Sequence, residues 1–306
     1  MIDVRKLAAP RRWRVTNPSP RGGDIEIAGW DFGGDGPVAL LHHANGLCAA
    51  TWALVARELC RSFRVIAVDA RGHGDSAHLT VPEDYDWNFF VSDLASVAAQ
   101  VLEETGERAI ALGLGSSFGG IITAAAEAQH PGLFQRLLML DPPIHPTPEL
   151  AEALGYPIPS EGRPGGQGLV EQTLRRRAVW ASRDEARAAW QDKPLFAAWD
   201  PDAFELYLAE GLAGQADGSV VLKCPPEVEA HIFRTTGSLG PLDYAPKVQA
   251  PVRVTRAVRG FLPEDFVRRV VQLFPRGEFA ELDGGHLLPL EVPEKVVDHV
   301  REWMAD

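Results

Sequence analysis

"LGLGSSFGGII" (residues 112–122) sets two adjacent serines between apolar runs, with glycines on both sides and no charge. Gly115-Ser116-Ser117-Phe118-Gly119 fits G-x-S-x-G with Ser117 at its centre. Ser116 does not fit, because Leu114 and Phe118 stand where its glycines belong. The spacing has a physical cause. A nucleophile on a sharp strand-to-helix turn holds a strained backbone, and small neighbours avoid clashes there. The turn also sets the hydroxyl beside a helix N-terminus, whose N–H groups stabilise developing negative charge. Five residues alone also describe an ordinary glycine-rich turn with satisfied serines. The strand-like run before them and the helical spacing after them favour a nucleophile at Ser117.

Outward from that turn the chain alternates. Short, β-rich apolar runs at 24–32, 37–43, 63–70, 109–116 and 136–143 predict strands. Helical spacing covers 51–60, 88–105 and 119–131. The rhythm returns at 250–258 (strand), 263–275 (helix), 277–282 (strand) and 293–304 (helix). Apolar strands separated by helices predict an α/β fold, a mainly parallel sheet with helices on both faces. Between these halves, 144–240 opens rich in Pro and Gly and continues in charged, Trp-bearing helical segments, clearest at 170–191 and 200–214. No βαβ unit shows there. The expected organisation is a core of 20–143 and 241–306 carrying a helical insertion of 144–240.

Composition narrows the function classes. With 306 residues, 45% hydrophobic and 24% charged, the chain has the profile of a globular protein. Its formal net charge of −12 repels a phosphate backbone, so no nucleic-acid partner is expected. Three cysteines, Cys48, Cys60 and Cys224, are odd in number and lack metal-ligand spacing, which suits a reducing compartment. "MIDVRKLAAPRRWRV" (1–15) has no apolar signal-peptide run, and no stretch is long and apolar enough for a bilayer. The expected address is cytoplasmic, with no membrane partner.

A serine needs a base. Among nine histidines, His286 lies in "LDGGHLLPLEVPE" (282–294), a Gly-rich loop between the last strand and the last helix. That place delivers an imidazole to the sheet edge where Ser117 sits, which decides for His286 over an ordinary loop histidine.

"LLHHANG", "VIAVDARGHGDS", "GLGSSFGG", "LLMLDPP" and "LDGGHLLPLEVPE" together resemble the α/β-hydrolase superfamily, specifically serine esterase- and lactonase-like members with a helical lid inserted after the sixth strand. The stretches cover nearly the whole core in the family's order. The resemblance implies a third residue, an acid that holds the imidazole tautomer. Many members carry it after the seventh strand, where this chain has Arg259, which has no acceptor to offer. Others carry it at the end of the sixth strand, and Asp141 of "LLMLDPP" is chosen on that ground. Glu264 and Asp265 stay in reserve, although "PED" looks like a helix start. The resemblance also implies an oxyanion hole from the backbone N–H groups of Phe118 and, by matching His43-Ala44 to the family's His-Gly, of Asn45. His73 and Asp75 of "DARGHGDS" are read as parts of a tight turn, outside the triad.

In the insertion, at most two of Arg175, Arg176 and Arg177 share a helix face, so a solvated basic face is expected over an anion site. Trp180, Trp190, Phe196, Trp199, Phe204 and Tyr207 are expected mainly to pack the insertion, with some free to line an apolar substrate pocket. The expected activity is a serine hydrolase acting on a small-molecule ester or lactone, with no metal or organic cofactor required. The same parts serve lactone or C–C bond hydrolysis, and the fold also hosts receptors without turnover. The oligomeric state is not encoded in any motif.

Overall fold

The computed structural model describes residues 3–157 and 166–305. In chain order the core runs β1 (Ala9–Thr16), β2 (Asp24–Gly33), β3 (Val38–His42), α1 (Ala53–Leu59), β4 (Arg64–Val68), α2 (Trp87–Thr105), β5 (Ile110–Ser116), α3 (Phe118–Gln129) and β6 (Phe134–Leu140). The inserted part holds α4 (Pro148–Leu154), α5 (Gly166–Leu174), β7 (Val179–Trp180), α6 (Arg183–Trp190), α7 (Pro194–Ala197), α8 (Pro201–Glu210), β8 (Leu212–Gly214), β9 (Val220–Leu222) and α9 (Pro226–Arg234), and α10 (Pro241–Tyr244) leads back into the core. The core closes with β10 (Val252–Ala257), α11 (Glu264–Val271), β11 (Gly277–Leu282), α12 (Leu288–Glu291) and α13 (Pro293–Ala305).

Eight strands form one sheet in the order β1-β2-β4-β3-β5-β6-β10-β11. β1 and β2 pair antiparallel, as do β2 and β4, and the remaining neighbours are parallel. Every residue of β3 and β5 is buried, which explains their unbroken apolar sequences: helices cover both faces. α2, α3 and α11 pack on one face, while α1 and α13 pack on the other. α2 begins where the Asp86 carboxylate accepts the Asn88 N–H and ends at Gly106, whose φ of 72° suits a left-handed cap.

Order reverses between β3 and β5. The chain leaves β3 for β4 on one side and returns to β5 on the other, so the loops after β3 and β5 part above the sheet. Such a switch point at the carboxyl ends of parallel strands is where open α/β sheets open a crevice.

Three expectations need correction. β1 lies before residue 20, so the sheet starts earlier than the expected core boundary; its alternating exposed and buried residues mark an edge strand beside arginines that masked the apolar signal. The stretch 170–191 is not one helical segment, because it breaks into α5, β7 and α6. The insertion is also not purely helical: β7, β9 and β8 form a small antiparallel sheet, too short for periodicity to reveal. Among the described residues no helix is long and apolar enough to cross a membrane.

Candidate active site

Ser117 occupies the turn between β5 and α3 with φ 53° and ψ −122°. Its Oγ makes no capping bond to α3, and its backbone N–H donates to Leu140 O at 2.8 Å. The flanking glycines are sterically required. A Cβ on Gly115 would stand 2.3 Å from Gly119 O, and one on Gly119 would stand 2.3 Å from His42 O. Ser116, by contrast, is buried with its Oγ unpaired among the described residues.

His286 reaches Ser117 from the loop after β11. Its Nε2 lies 2.9 Å from Ser117 Oγ, and its Nδ1 lies 2.6 Å from Asp141 Oδ2. The loop is held by Glu291, whose carboxylate accepts the N–H groups on both sides of the histidine, from Gly285 at 2.7 Å and Leu287 at 3.2 Å. Sequence reasoning missed Glu291 because its bonds are fixed by the return of α12, not by any motif. Phe261, half exposed, sets its ring 4.8 Å from that of His286 and stacks on His145.

Asp141 is fully buried at the end of β6 with φ 44°. Its N–H donates to Thr255 O at 2.7 Å, and its Oδ1 accepts the Ala257 N–H at 2.9 Å. That leaves Oδ2 aimed at His286. Gly260 makes room, since a Cβ there would come within 2.8 Å of Asp141 Oδ2. Glu264 and Asp265 are not at His286: both are exposed in the first turn of α11, and Glu264 pairs with Arg268 at 2.7 Å. Arg259 pairs outward with Asp283.

Neither the Phe118 nor the Asn45 backbone N–H donates to another described residue. The Asn45-Gly46 turn is closed by Leu47 N–H to Ala44 O at 3.1 Å, and Gly46 has φ 80°, as the second corner of a type II turn requires. Neighbouring histidines serve as struts. His43 Nδ1 donates to Ala44 O at 2.8 Å and its Nε2 accepts the Ala70 N–H at 3.0 Å. His73 does the same with Arg71 O and the Gly46 N–H, both at 3.0 Å. With Nε2 already an acceptor, the nearby Asn45 Oδ1 is a contact and not a second bond. Burial holds these rings neutral: His42 is lowered to about 4, His73 to about 3, and His43 well below its usual value. His73 and Asp75 therefore lie outside the Ser117–His286–Asp141 relay, and the Asp75 N–H donates to Asp69.

The aromatic residues of the insertion pack on one another. Trp180 meets Trp190 edge-on at 4.9 Å, and Phe196 lies 5.1 Å from Trp190 and 4.9 Å from Trp199. The three arginines separate: Arg175 and Arg177 are exposed with surface partners, while Arg176 is half buried and pairs with buried Glu229. No group of side chains able to hold a metal ion occurs among the described residues.

Comparison with known proteins places the chain. The family model described as "Alpha/beta hydrolase family" matches residues 39–299. The chain is 32% identical to a pimeloyl-(acyl-carrier protein) methyl ester esterase of Vibrio atlanticus (strain LGP32), over 36% of this chain and 38% of that protein. The match thus spans little more than a third of that relative's length. It is 26% identical to the abhydrolase domain-containing protein ACTT2 of Alternaria alternata, over 63% of this chain and 82% of that one. Among solved structures, E-2-(acetamidomethylene)succinate hydrolase shares the fold with a TM-score of 0.75 at 19% identity, over 97% of this chain and 100% of that one.

Proposed function

The chain belongs to the alpha/beta hydrolase family, and on that premise we propose that it is a serine hydrolase cleaving a carboxylic ester of a small molecule. The observation that carries this reading is the continuous contact from Asp141 Oδ2 through the His286 ring to Ser117 Oγ, at 2.6 and 2.9 Å. Asp141 Oδ2 accepts the Nδ1–H of neutral His286, which turns the Nε2 lone pair toward the serine hydroxyl. Ser117 Oγ attacks the ester carbonyl carbon as its proton passes to Nε2. The carbonyl oxygen becomes an oxyanion facing the N–H groups of Phe118 and Asn45. The imidazolium, stabilised by Asp141, gives that proton to the leaving alkoxide as the C–O bond breaks. Water, giving a proton to His286 Nε2, then attacks the acyl carbon; the C–Oγ bond breaks, the imidazolium returns the proton to Ser117 Oγ, and the acid is released.

The segment 144–240 serves in this reading as a cap over the site, joined to a core of 20–143 and 241–306 that also takes in β1. The cysteines Cys48, Cys60 and Cys224 are unpaired, which supports a cytoplasmic address. Hydrolysis of a short-chain p-nitrophenyl ester by wild type and Ser117→Ala tests the proposal. Turnover by the wild type that disappears in the variant supports it. A wild type that neither turns over nor reacts with a fluorophosphonate refutes it and favours a receptor on the same fold.

A further inference from the structure

The Asn45-Gly46 turn is tied at three points, and two of them come from the insertion. From the core, His73 Nε2 accepts the Gly46 N–H at 3.0 Å. From α8, the Tyr207 hydroxyl donates to Gly46 O at 3.1 Å in a buried contact. From α9, Glu229 O accepts the Asn45 side-chain amide at 3.0 Å. The Glu229 carboxylate also lies against Gly46, where a Cβ would meet it at 2.7 Å. The main-chain N–H of Asn45 is left unengaged by these ties among the described residues.

We propose that Tyr207 is a positioning residue for the reaction, whose hydroxyl fixes the Gly46 carbonyl and thereby aims the Asn45 N–H at the oxyanion. This rests on the serine hydrolase reading above and goes beyond it: the insertion sets the electrostatics of the site as well as covering it. The physical link is the rigidity of the turn. Gly46 O and the Leu47 N–H share one peptide, and that N–H binds Ala44 O, which shares a peptide with the Asn45 N–H; rotating the first therefore shifts the other across the turn, and an oxyanion donor acts only within a narrow range of distance and direction. Tyr207 suits the task. Burial pushes its phenol above the usual range, so the hydroxyl stays a neutral donor. Its ring is locked by stacking on Trp190 and an edge contact with Trp199, each at 5.6 Å. Arg176, half buried and paired with Glu229, faces the same hydroxyl and bridges the segment after α5 to α9.

Tyr207→Phe removes the hydroxyl and keeps the ring. Since losing an oxyanion donor outright costs roughly 100- to 1,000-fold, a donor that is merely misaimed is expected to cost about tenfold in kcat. KM for a p-nitrophenyl ester should stay within about twofold, and inhibition by a trifluoromethyl ketone, whose adduct carries the oxyanion, should weaken by the same factor as kcat/KM. Trp180→Phe, which disturbs the same aromatic cluster through Trp190 and not at the Tyr207 ring, controls for packing and should keep its kcat. Asn45→Ala, which cuts the tie to Glu229 and leaves the backbone N–H, gives an independent second variant and should show the same loss confined to kcat. Wild-type kcat and ketone affinity in Tyr207→Phe overturn the inference, as does a loss matched by Trp180→Phe. A wild type that fluorophosphonate does not label overturns the underlying reading instead, so the two failures are told apart.

Discussion

Replacing Asp141 by Asn keeps the shape of the buried carboxyl and removes its charge. The surrounding bonds determine the effect. Oδ1 accepts the Ala257 N–H at 2.9 Å, and Oδ2 faces His286 Nδ1 at 2.6 Å. An asparagine that keeps its oxygen toward Ala257 turns its NH2 toward His286. The ring must then accept at Nδ1 and carry its proton on Nε2, where it cannot take one from Ser117. The flipped amide restores the tautomer but sets its NH2 against the Ala257 N–H, leaving buried donors unpaired at a cost of roughly 1–3 kcal/mol. Loss of the charge-assisted bond to the imidazolium removes about 2 kcal/mol more from the transition state. Together these make about 3–5 kcal/mol, or roughly a 100- to 10,000-fold fall in kcat/KM. The assay is p-nitrophenyl ester hydrolysis, with Glu264→Gln and Asp265→Asn expected to stay within about twofold of wild type. An Asp141→Asn enzyme within tenfold of wild type would refute the assignment of the acid, most sharply if either α11 variant lost activity instead.

The same geometry sets other outcomes. Gly260→Ala brings a Cβ to 2.8 Å from Asp141 Oδ2, and steady-state kinetics should show kcat reduced about tenfold as the acid is pushed off line. Glu291→Ala frees both N–H groups beside His286; kcat should fall and the thermal midpoint should drop by a few degrees, reflecting about 1–2 kcal/mol. Ser117→Gly relieves a φ of 53°, so it should abolish turnover yet raise stability in denaturant by about 1–3 kcal/mol. Acid should unfold the protein early. His42 and His73, lowered to about 4 and about 3 by burial, stay neutral in the fold but protonate near 6.5 when unfolded, so their stability is present above 6.5 and is lost as pH falls. Between pH 7 and 5 each contributes a loss of about 2 kcal/mol. Asp69, raised to about 6 by burial, takes up its proton sooner in the fold and offsets about 1 kcal/mol over the same range. Urea titrations at the two pH values check the sum, and a flat or rising stability toward pH 5 contradicts it.

The parts legible in the sequence are those whose signal is local. The strands of the parallel core announce themselves because burial on both faces demands continuous apolar runs, and G-x-S-x-G is visible because both glycines face backbone at 2.3 Å. β1 is hidden because an edge strand leaves only Trp13 and Val15 buried, with exposed Arg12 and Arg14 and half-buried Arg11 among them. β7, β8 and β9 span two or three residues each, below the reach of any periodicity. The supports of the candidate site are remote in sequence. Glu229 and Tyr207 meet the Asn45-Gly46 turn across 184 and 161 residues, so no window of sequence contains both partners. A solvated basic face shared by at most two of the three arginines is expected, and Arg175 and Arg177 are exposed; Arg176 turns inward to Glu229, a partner 53 residues away that no helical spacing reveals.

The placement of Asp141 is the strongest structural support for the proposed triad over an ordinary glycine-rich turn. Ser116 and Leu140 are register partners in β5 and β6, so Ser117 and Asp141 are the next residues out on neighbouring strands. They are also the two non-glycine residues with positive φ among those described, at 53° and 44°. Such backbone costs of order 1–3 kcal/mol at each position and persists only where the surroundings enforce it. The enforcement is visible: Ser117 N–H binds Leu140 O, Asp141 N–H binds Thr255 O, and Ala257 grips the carboxylate. A turn under no demand would relax by taking glycine at either place. Two adjacent strained residues, each presenting a polar atom to one imidazole, are what a relay needs and what stability alone disfavours. In the proposed triad the acid comes from β6, so the loop after β10 has only to leave space, which Gly260 does, and Arg259 is free to pair at the surface with Asp283.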